Sequence, residues 1–211
     1  MLKISNLSVS IDNIQILSNV SITVNKFSSI IGRNGAGKTT LVRSIMKILE
    51  NNAGTIHLND INISQYKTHT MTSLGIGYMP EDRRLVADLS VKENILLPLW
   101  SNNLKNVEKE LERILTFIPE IKPFLKSNAY QLSGGQQKLV ALARAMIIGK
   151  KLLLLDEPFE GVAPALAERL VELILELNKL DLITLITESD EAFSQIINAE
   201  IVKLERGRIL P

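Results

Sequence analysis

The stretch Ile30 to Leu41, read IIGRNGAGKTTL, restricts what this chain can fold into more than any other part of it. Gly32, Gly37, Lys38 and Thr39 stand at the spacing G-x-x-x-x-G-K-[ST], the pattern of a phosphate-binding loop between a strand and a helix. Each residue type has a reason. Glycine has no Cβ, so the loop can turn its backbone N–H groups inward around an anion. The helix that follows points its positive end at the same anion. Lys38 adds a full charge for the outer phosphates, and the Thr39 hydroxyl is a magnesium ligand. The candidate phosphate-binding residues are therefore Gly32, Asn34, Gly35, Ala36, Gly37, Lys38, Thr39 and Thr40.

Hydrophobic periodicity organises the rest. Leu2/Ile4, Leu7/Val9/Ile11, Ile14/Ile16 and Val20/Ile22/Val24 alternate at period two and read as short β-segments. Asp12-Asn13 signals a turn between two of them. Phe27 to Ile31 is the strand that feeds the glycine loop. Leu41, Val42, Ile45, Met46, Ile48 and Leu49 share a helical face, with Gly54 available as a left-handed cap. Thr55 to Ile63 reads as strand, Asn-Asp turn and strand, and Ile76 to Met79 as a strand stopped by Pro80. Leu104, Val107, Leu111, Ile114, Leu115 and Ile118 then recur at helical spacing until Pro119. Ser133 can cap a helix whose apolar face is Leu139, Leu142, Ala143 and Met146. The run Leu152 to Leu155 suits a strand buried on both faces of a parallel sheet. A helix over Pro164 to Asn178, a strand over Ile183 to Ile186, a short helix and a hairpin at Arg206-Gly207 complete the chain.

This pattern predicts one α/β domain, its nucleotide core formed by residues 1–81 and 149–211, interrupted over 82–148 by a mainly helical insert. With 211 residues, 45% of them hydrophobic, the chain can bury a sizeable core. It has no cysteine, which excludes disulfides and thiolate metal sites. A net charge of +1 gives no nucleic-acid footprint. The opening MLKISNLSVS lacks the apolar core of a signal peptide, and no apolar run approaches the roughly 18 residues of a membrane span. An intracellular protein is expected, with any membrane connection made through a partner.

Two further motifs carry chemistry. Leu155-Asp156-Glu157-Pro158 places two carboxylates at the C-terminal end of a buried strand, where ligands bind in open α/β sheets. Asp156 can hold magnesium through water, and Glu157 can reach a water that attacks a terminal phosphate. Leu132-Ser133-Gly134-Gly135-Gln136 sets a hydroxyl and two glycines at a helix start, a second anion site.

With GRNGAGKTT, LSGGQ and LLLLDEP in that order and spacing, essentially the whole chain resembles the ATP-binding subunits of ABC transporters. The resemblance implies a P-loop NTPase core (a RecA-like parallel sheet) with an N-terminal antiparallel β-subdomain and a helical insert. It implies ATP and Mg2+ as ligands, and two subunits paired head to tail, as a homo- or heterodimer. Ser133, Gly134, Gly135 and Gln136 of one subunit would close over ATP on the other's glycine loop. It also implies membrane-spanning permease subunits as partners, which would hold the chain on the inner face of the cell membrane. Gly75 to Arg84, Leu89 to Asn94 and Glu157 to Pro164 are most similar to branched-chain amino acid importers. Lipopolysaccharide-export ATPases share DEPF and GV but less around Glu81. Soluble, non-transport members carry long insertions or two fused cassettes, which this chain lacks.

Four departures from the family pattern stand out. Ile11 is the best match to the aromatic that stacks on adenine. The turn Val24 to Phe27 is about two residues short, which tightens a hairpin. Glu81 replaces a metal-binding, transporter-sensing glutamine; a carboxylate suits magnesium as well, so the metal set is Thr39, Glu81 and Asp156. Finally, the switch histidine that contacts the γ-phosphate is missing, because both histidines, His57 and His69, lie far upstream. Thr187, Glu188 and Ser189 are the candidates for its position, with Glu188 the choice. Losing one charge-stabilising donor costs about 10²–10³ in rate, so slow hydrolysis driven by Glu157 is expected. The rival is a degenerate subunit that clamps nucleotide with little hydrolysis. Trp100 reads as a half-buried aromatic of the insert, His57 and His69 as non-ligating, and Arg83-Arg84 as even between solvated charge and permease contact.

Overall fold

A computed structural model describes residues 1–101 and 106–210. Its frame is two sheets. Strands β1 (Leu2–Ile11), β2 (Ile14–Val24), β4 (Ala53–Leu58) and β5 (Ile61–Asn62) form an antiparallel sheet in the order β2-β1-β4-β5. Strands β3 (Phe27–Ile31), β6 (Ile76–Met79), β7 (Leu152–Asp156), β8 (Ile183–Glu188), β9 (Glu200–Glu205) and β10 (Arg208–Ile209) form the second, ordered β10-β9-β3-β8-β7-β6. All its pairings are parallel except β10 with β9. The helices are α1 (Lys38–Ile45), α2 (Val91–Ser101), α3 (Val107–Phe117), α4 (Gly134–Ile148), α5 (Pro164–Asn178) and α6 (Ala192–Ile196).

The leucine strand shows why the larger sheet is a middle layer. Leu152 and Leu154 pack with β1, β2 and α1, whereas Leu153 and Leu155 pack with α2 to α5. Period-two alternation thus feeds two cores, one on each face, and every position must be apolar. Close packing fixes α4 against β6: a Cβ on Gly77 would lie 2.1 Å from the Ala145 carbonyl oxygen.

Several expectations change. The four N-terminal segments are two long strands with register shifts in their pairing, where Asn6 and Asn19 take left-handed backbone. Asp12 and Asn13 both have positive φ, which suits a tight hairpin. No hairpin joins β2 to β3, because they belong to different sheets; the short Asn25-Lys26 link is a crossover between layers. Helix α1 ends at Ile45, its left-handed exit residue is Lys47 (φ 55), and Ile48 is exposed. Gly54 sits in β4 instead, backing onto Asn6. The insert holds an additional helix, α2, whose Val91, Asn94, Ile95, Leu96 and Leu99 are buried despite Pro98. Trp100, near its end, is 46% exposed, a half-buried aromatic of the insert as expected. Leu104 lies outside the described residues. Among the described residues, no helix is long and apolar enough to cross a membrane.

Candidate functional site

The glycine loop leaves β3 at Gly32, whose N–H bonds to the Glu188 carbonyl at 3.1 Å. Gly37 caps α1 with φ 109, and a side chain there would meet Leu17 at 2.7 Å, so glycine is required. Lys38 is buried, and its Nζ donates to the carbonyls of Gly32 (2.5 Å) and Arg33 (3.3 Å). Asn34, Gly35, Gly37, Lys38, Thr39 and Thr40 line a cleft of about 480 Å³, together with Ile16, Glu81, Glu157 and Glu160. Ile11 is not among the lining residues; Ile16 is the apolar side chain there.

The two carboxylates at the end of β7 differ in setting. Asp156 is fully buried; its Oδ1 accepts from Thr187 Oγ1 at 2.7 Å and Thr39 Oγ1 at 3.3 Å, and its Oδ2 from the Tyr78 hydroxyl at 3.2 Å. Burial pushes its pKa up, against those three hydrogen bonds. Glu157 has left-handed backbone (φ 47), a strain of about 1–3 kcal/mol for a non-glycine residue. That strain turns its carboxylate back over the loop, where Oε1 pairs with Lys38 Nζ at 3.0 Å. Burial opposes the charge on Glu157, but hydrogen bonds from Glu160 and Lys38, with the lysine's charge, hold its pKa below the ordinary value. Glu160 takes the other share: its hydrogen bond to Glu157, then burial, raise it to about 7. Burial and the charge of Glu157 also push Glu81 up. Thr39 and Asp156 thus meet, and Glu81 lines the same cleft as Thr39; all three offer the oxygen donors that magnesium takes.

The three candidates for the missing histidine's position, Thr187, Glu188 and Ser189, face different surroundings. Strand β8 lies between β3 and β7 and runs to Glu188, two residues past the apolar run. Thr187 faces Asp156, so Ser189, two residues on, emerges on the same side. Its Oγ lies 2.9 Å from Asn34 Oδ1, 3.2 Å from Glu157 Oε2 and 3.4 Å from Lys38 Nζ. Glu188 turns away: its Oε1 accepts from the Phe159 N–H at 3.1 Å, and burial raises its pKa to about 7. The side chain of Ser189, not that of Glu188, borders the phosphate loop.

Ser133 caps α4 as its sequence predicts, its Oγ accepting from Gln136 N at 3.3 Å while Gln136 Oε1 accepts from Ser133 N at 2.9 Å. Ser133, Gly134 and Gly135 line a neighbouring cavity of about 500 Å³ whose lining includes no residue of the glycine loop. Glu81 and Glu160 line both cavities. Arg83 donates to the Gly134 carbonyl (3.2 Å) and Gln137 Oε1 (3.1 Å), whereas Arg84 pairs with Asp82 in solvent. Four residues escaped sequence reasoning: Tyr78, Lys138, Arg144 and Glu160. Lys138 Nζ donates to the carbonyls of Glu157 (3.1 Å) and Glu160 (2.6 Å), and Arg144 to those of Arg83 (2.5 Å) and Arg84 (2.7 Å). Tyr78 and Glu160 lie in the segments similar to branched-chain importers but had no role assigned there, and a lysine or arginine in a helix, as at Lys138 and Arg144, reads as surface charge. Among the described residues, His57 and His69 join no cluster able to hold a metal.

A phosphate loop, a strand-end carboxylate pair and a capped glycine helix start, set on a central parallel sheet beside an antiparallel one, define an ATP-hydrolysing cassette. The chain belongs to the ABC transporter family, whose model matches residues 17–160. It is 31% identical over 212 residues to a probable branched-chain amino acid transport ATP-binding protein of Archaeoglobus fulgidus, covering 99% of this chain and 90% of that protein. It is 33% identical over 187 residues to a lipopolysaccharide export system ATP-binding protein of Escherichia coli, covering 87% and 78%. A solved dimeric bacterial ABC transporter cassette superposes with a TM-score of 0.89 at 25% identity, covering 100% of this chain and 97% of that one. The chain is an ATP-binding, ATP-hydrolysing subunit of a transporter.

Proposed function

We propose that the chain powers an importer of the branched-chain amino acid type, from the cytoplasmic face, as one of two ATPase subunits docked on membrane-spanning permeases. The observation that carries the chemistry is the paired arrangement of Glu157 beside Lys38 and Asp156 beside Thr39 at one cleft. ATP phosphates lie in the loop from Gly32 to Thr40 and compete with Glu157 for Lys38. Thr39, Asp156 and Glu81 would hold magnesium, which when bound would neutralise phosphate charge. Glu157, released from Lys38, takes a proton from the attacking water. The Ser133 to Gln136 segment is supplied by the opposite subunit, a reading that rests on the family resemblance and is supported by the likeness to a dimeric cassette. Hydrolysis is slow because Ser189 offers a short neutral hydroxyl where a histidine would reach the γ-phosphate. The importer reading rests on the Archaeoglobus relative and on the segments around Glu81 and Glu157. The Escherichia coli relative supports an export reading instead. Co-purification with the permeases followed by ATP turnover in vesicles decides between them. Stimulation by leucine, isoleucine or valine with their binding protein is expected; stimulation by lipopolysaccharide alone refutes the importer.

A further inference from the structure

We infer that Lys138 is a positioning residue for Glu157, clamping the turn that carries the carboxylate and tying it to the helix that Ser133 caps. This rests on the reading of Glu157 as the group that activates water. Lys138 is buried, yet among the described residues it forms no ion pair; its ammonium reaches the main-chain carbonyls of Glu157 at 3.1 Å and Glu160 at 2.6 Å. Burying a cation against two neutral acceptors is costly when a neutral donor could satisfy them. What an ammonium adds is a set of rotatable donors that span two carbonyls three residues apart. Burial pushes its pKa down, while the charges of Glu188, Glu160 and Glu81 oppose the shift.

The grip matters because of where it falls. The N–H of Glu157 is pinned by Thr187, through its carbonyl at 3.1 Å and its Oγ1 at 3.2 Å. Lys138 pins the carbonyl of the same residue, so strand β8 and helix α4 together hold Glu157 in its left-handed conformation. That conformation aims the carboxylate at the loop. Lys138 is also on α4, the helix capped by Ser133. A shift of that helix start, when the opposite subunit's nucleotide engages it, moves Lys138 and re-aims Glu157 of the same chain.

The test compares kcat, KM and nucleotide Kd of the full-length chain for the parent, Lys138→Met, Lys138→Arg and Glu157→Gln. Lys138→Met is expected to lower kcat about 10- to 100-fold, as a misaimed catalytic group does, with KM and Kd within about twofold. Lys138→Arg is expected to recover most of that loss. If Lys138→Met does not fold, Lys138→Gln carries the comparison, its amide nitrogen sitting one atom short of the ammonium's reach and fixed in the amide plane. A parental kcat in the Lys138 variant beside an inactive Glu157→Gln overturns the clamp and leaves Glu157 standing. Parallel loss of kcat and nucleotide affinity overturns it too, by showing general structural support. A parental rate in Glu157→Gln overturns the underlying reading of Glu157 itself.

Discussion

Removing Lys38 without its partner exposes how tightly the nucleotide-free site is held. Lys38 Nζ and Glu157 Oε1 lie 3.0 Å apart with side chains only 3% and 6% exposed, so solvent screens the pair little. Taking away one member of such a pair costs about 3–5 kcal/mol, because the other is left buried and charged. Ser189 and Glu160 still donate to Glu157, which places Lys38→Met near the lower end, at about 3 kcal/mol. With a urea slope of about 2 kcal/mol/M, the unfolding midpoint falls by about 1.5 M. Glu157→Gln costs less, since Lys38 keeps the Gly32 and Arg33 carbonyls as acceptors. The double variant is expected to fall short of the sum by about 2 kcal/mol, measured by urea unfolding without nucleotide or magnesium. Additivity within about 0.5 kcal/mol would refute the buried pair.

Two further outcomes follow from neighbouring groups. Glu188 has a folded-state pKa near 7 against an ordinary 4.5, so the folded chain holds a proton that the unfolded chain has lost between those values. Its contribution is complete below pH 4.5 and is lost as pH rises through 7, by about 3 kcal/mol at most. Glu188→Gln therefore gains thermal stability over the parent as pH goes from 5 to 8; a gap that does not widen contradicts the buried, proton-holding carboxyl. Asp156 and Glu160 are raised as well, so the variant keeps part of the parental slope. Ser189→His should raise kcat about tenfold or more with KM little changed, because an imidazole reaches further into the cleft than a hydroxyl. An unchanged or lower kcat would show that Ser189 does not occupy the missing histidine's position.

Local chemistry was legible wherever a motif or an apolar period expressed it. The phosphate loop, the capping of α4 by Ser133 and the doubly buried leucine strand all stand where their residues place them. What was not legible depends on tertiary packing. Strand β8 continues through Thr187 and Glu188, polar residues that give no apolar signal but bond to Asp156 and Phe159. With the strand expected to stop at Ile186, nothing in the sequence showed that Thr187 and Ser189 share one side while the Glu188 side chain takes the other. Pro98 masked α2, yet it lies late in the helix, after Ile95 and Leu96 have packed. The left-handed Lys47 has no sequence mark, whereas Gly54 invited the wrong assignment. Lys138 has the composition of a surface residue, and only the approach of the Glu157 turn to α4 buries it.

The central claim is that ATP bound at the Lys38 loop is cut by water that Glu157 activates. Single-turnover hydrolysis of ATP with magnesium, on the chain assembled as a dimer, measures this step directly. The parent is expected to release phosphate slowly but completely, and Glu157→Gln to bind ATP while releasing phosphate at least about 10²-fold more slowly. Equal rates in the two would remove Glu157 as the catalytic group.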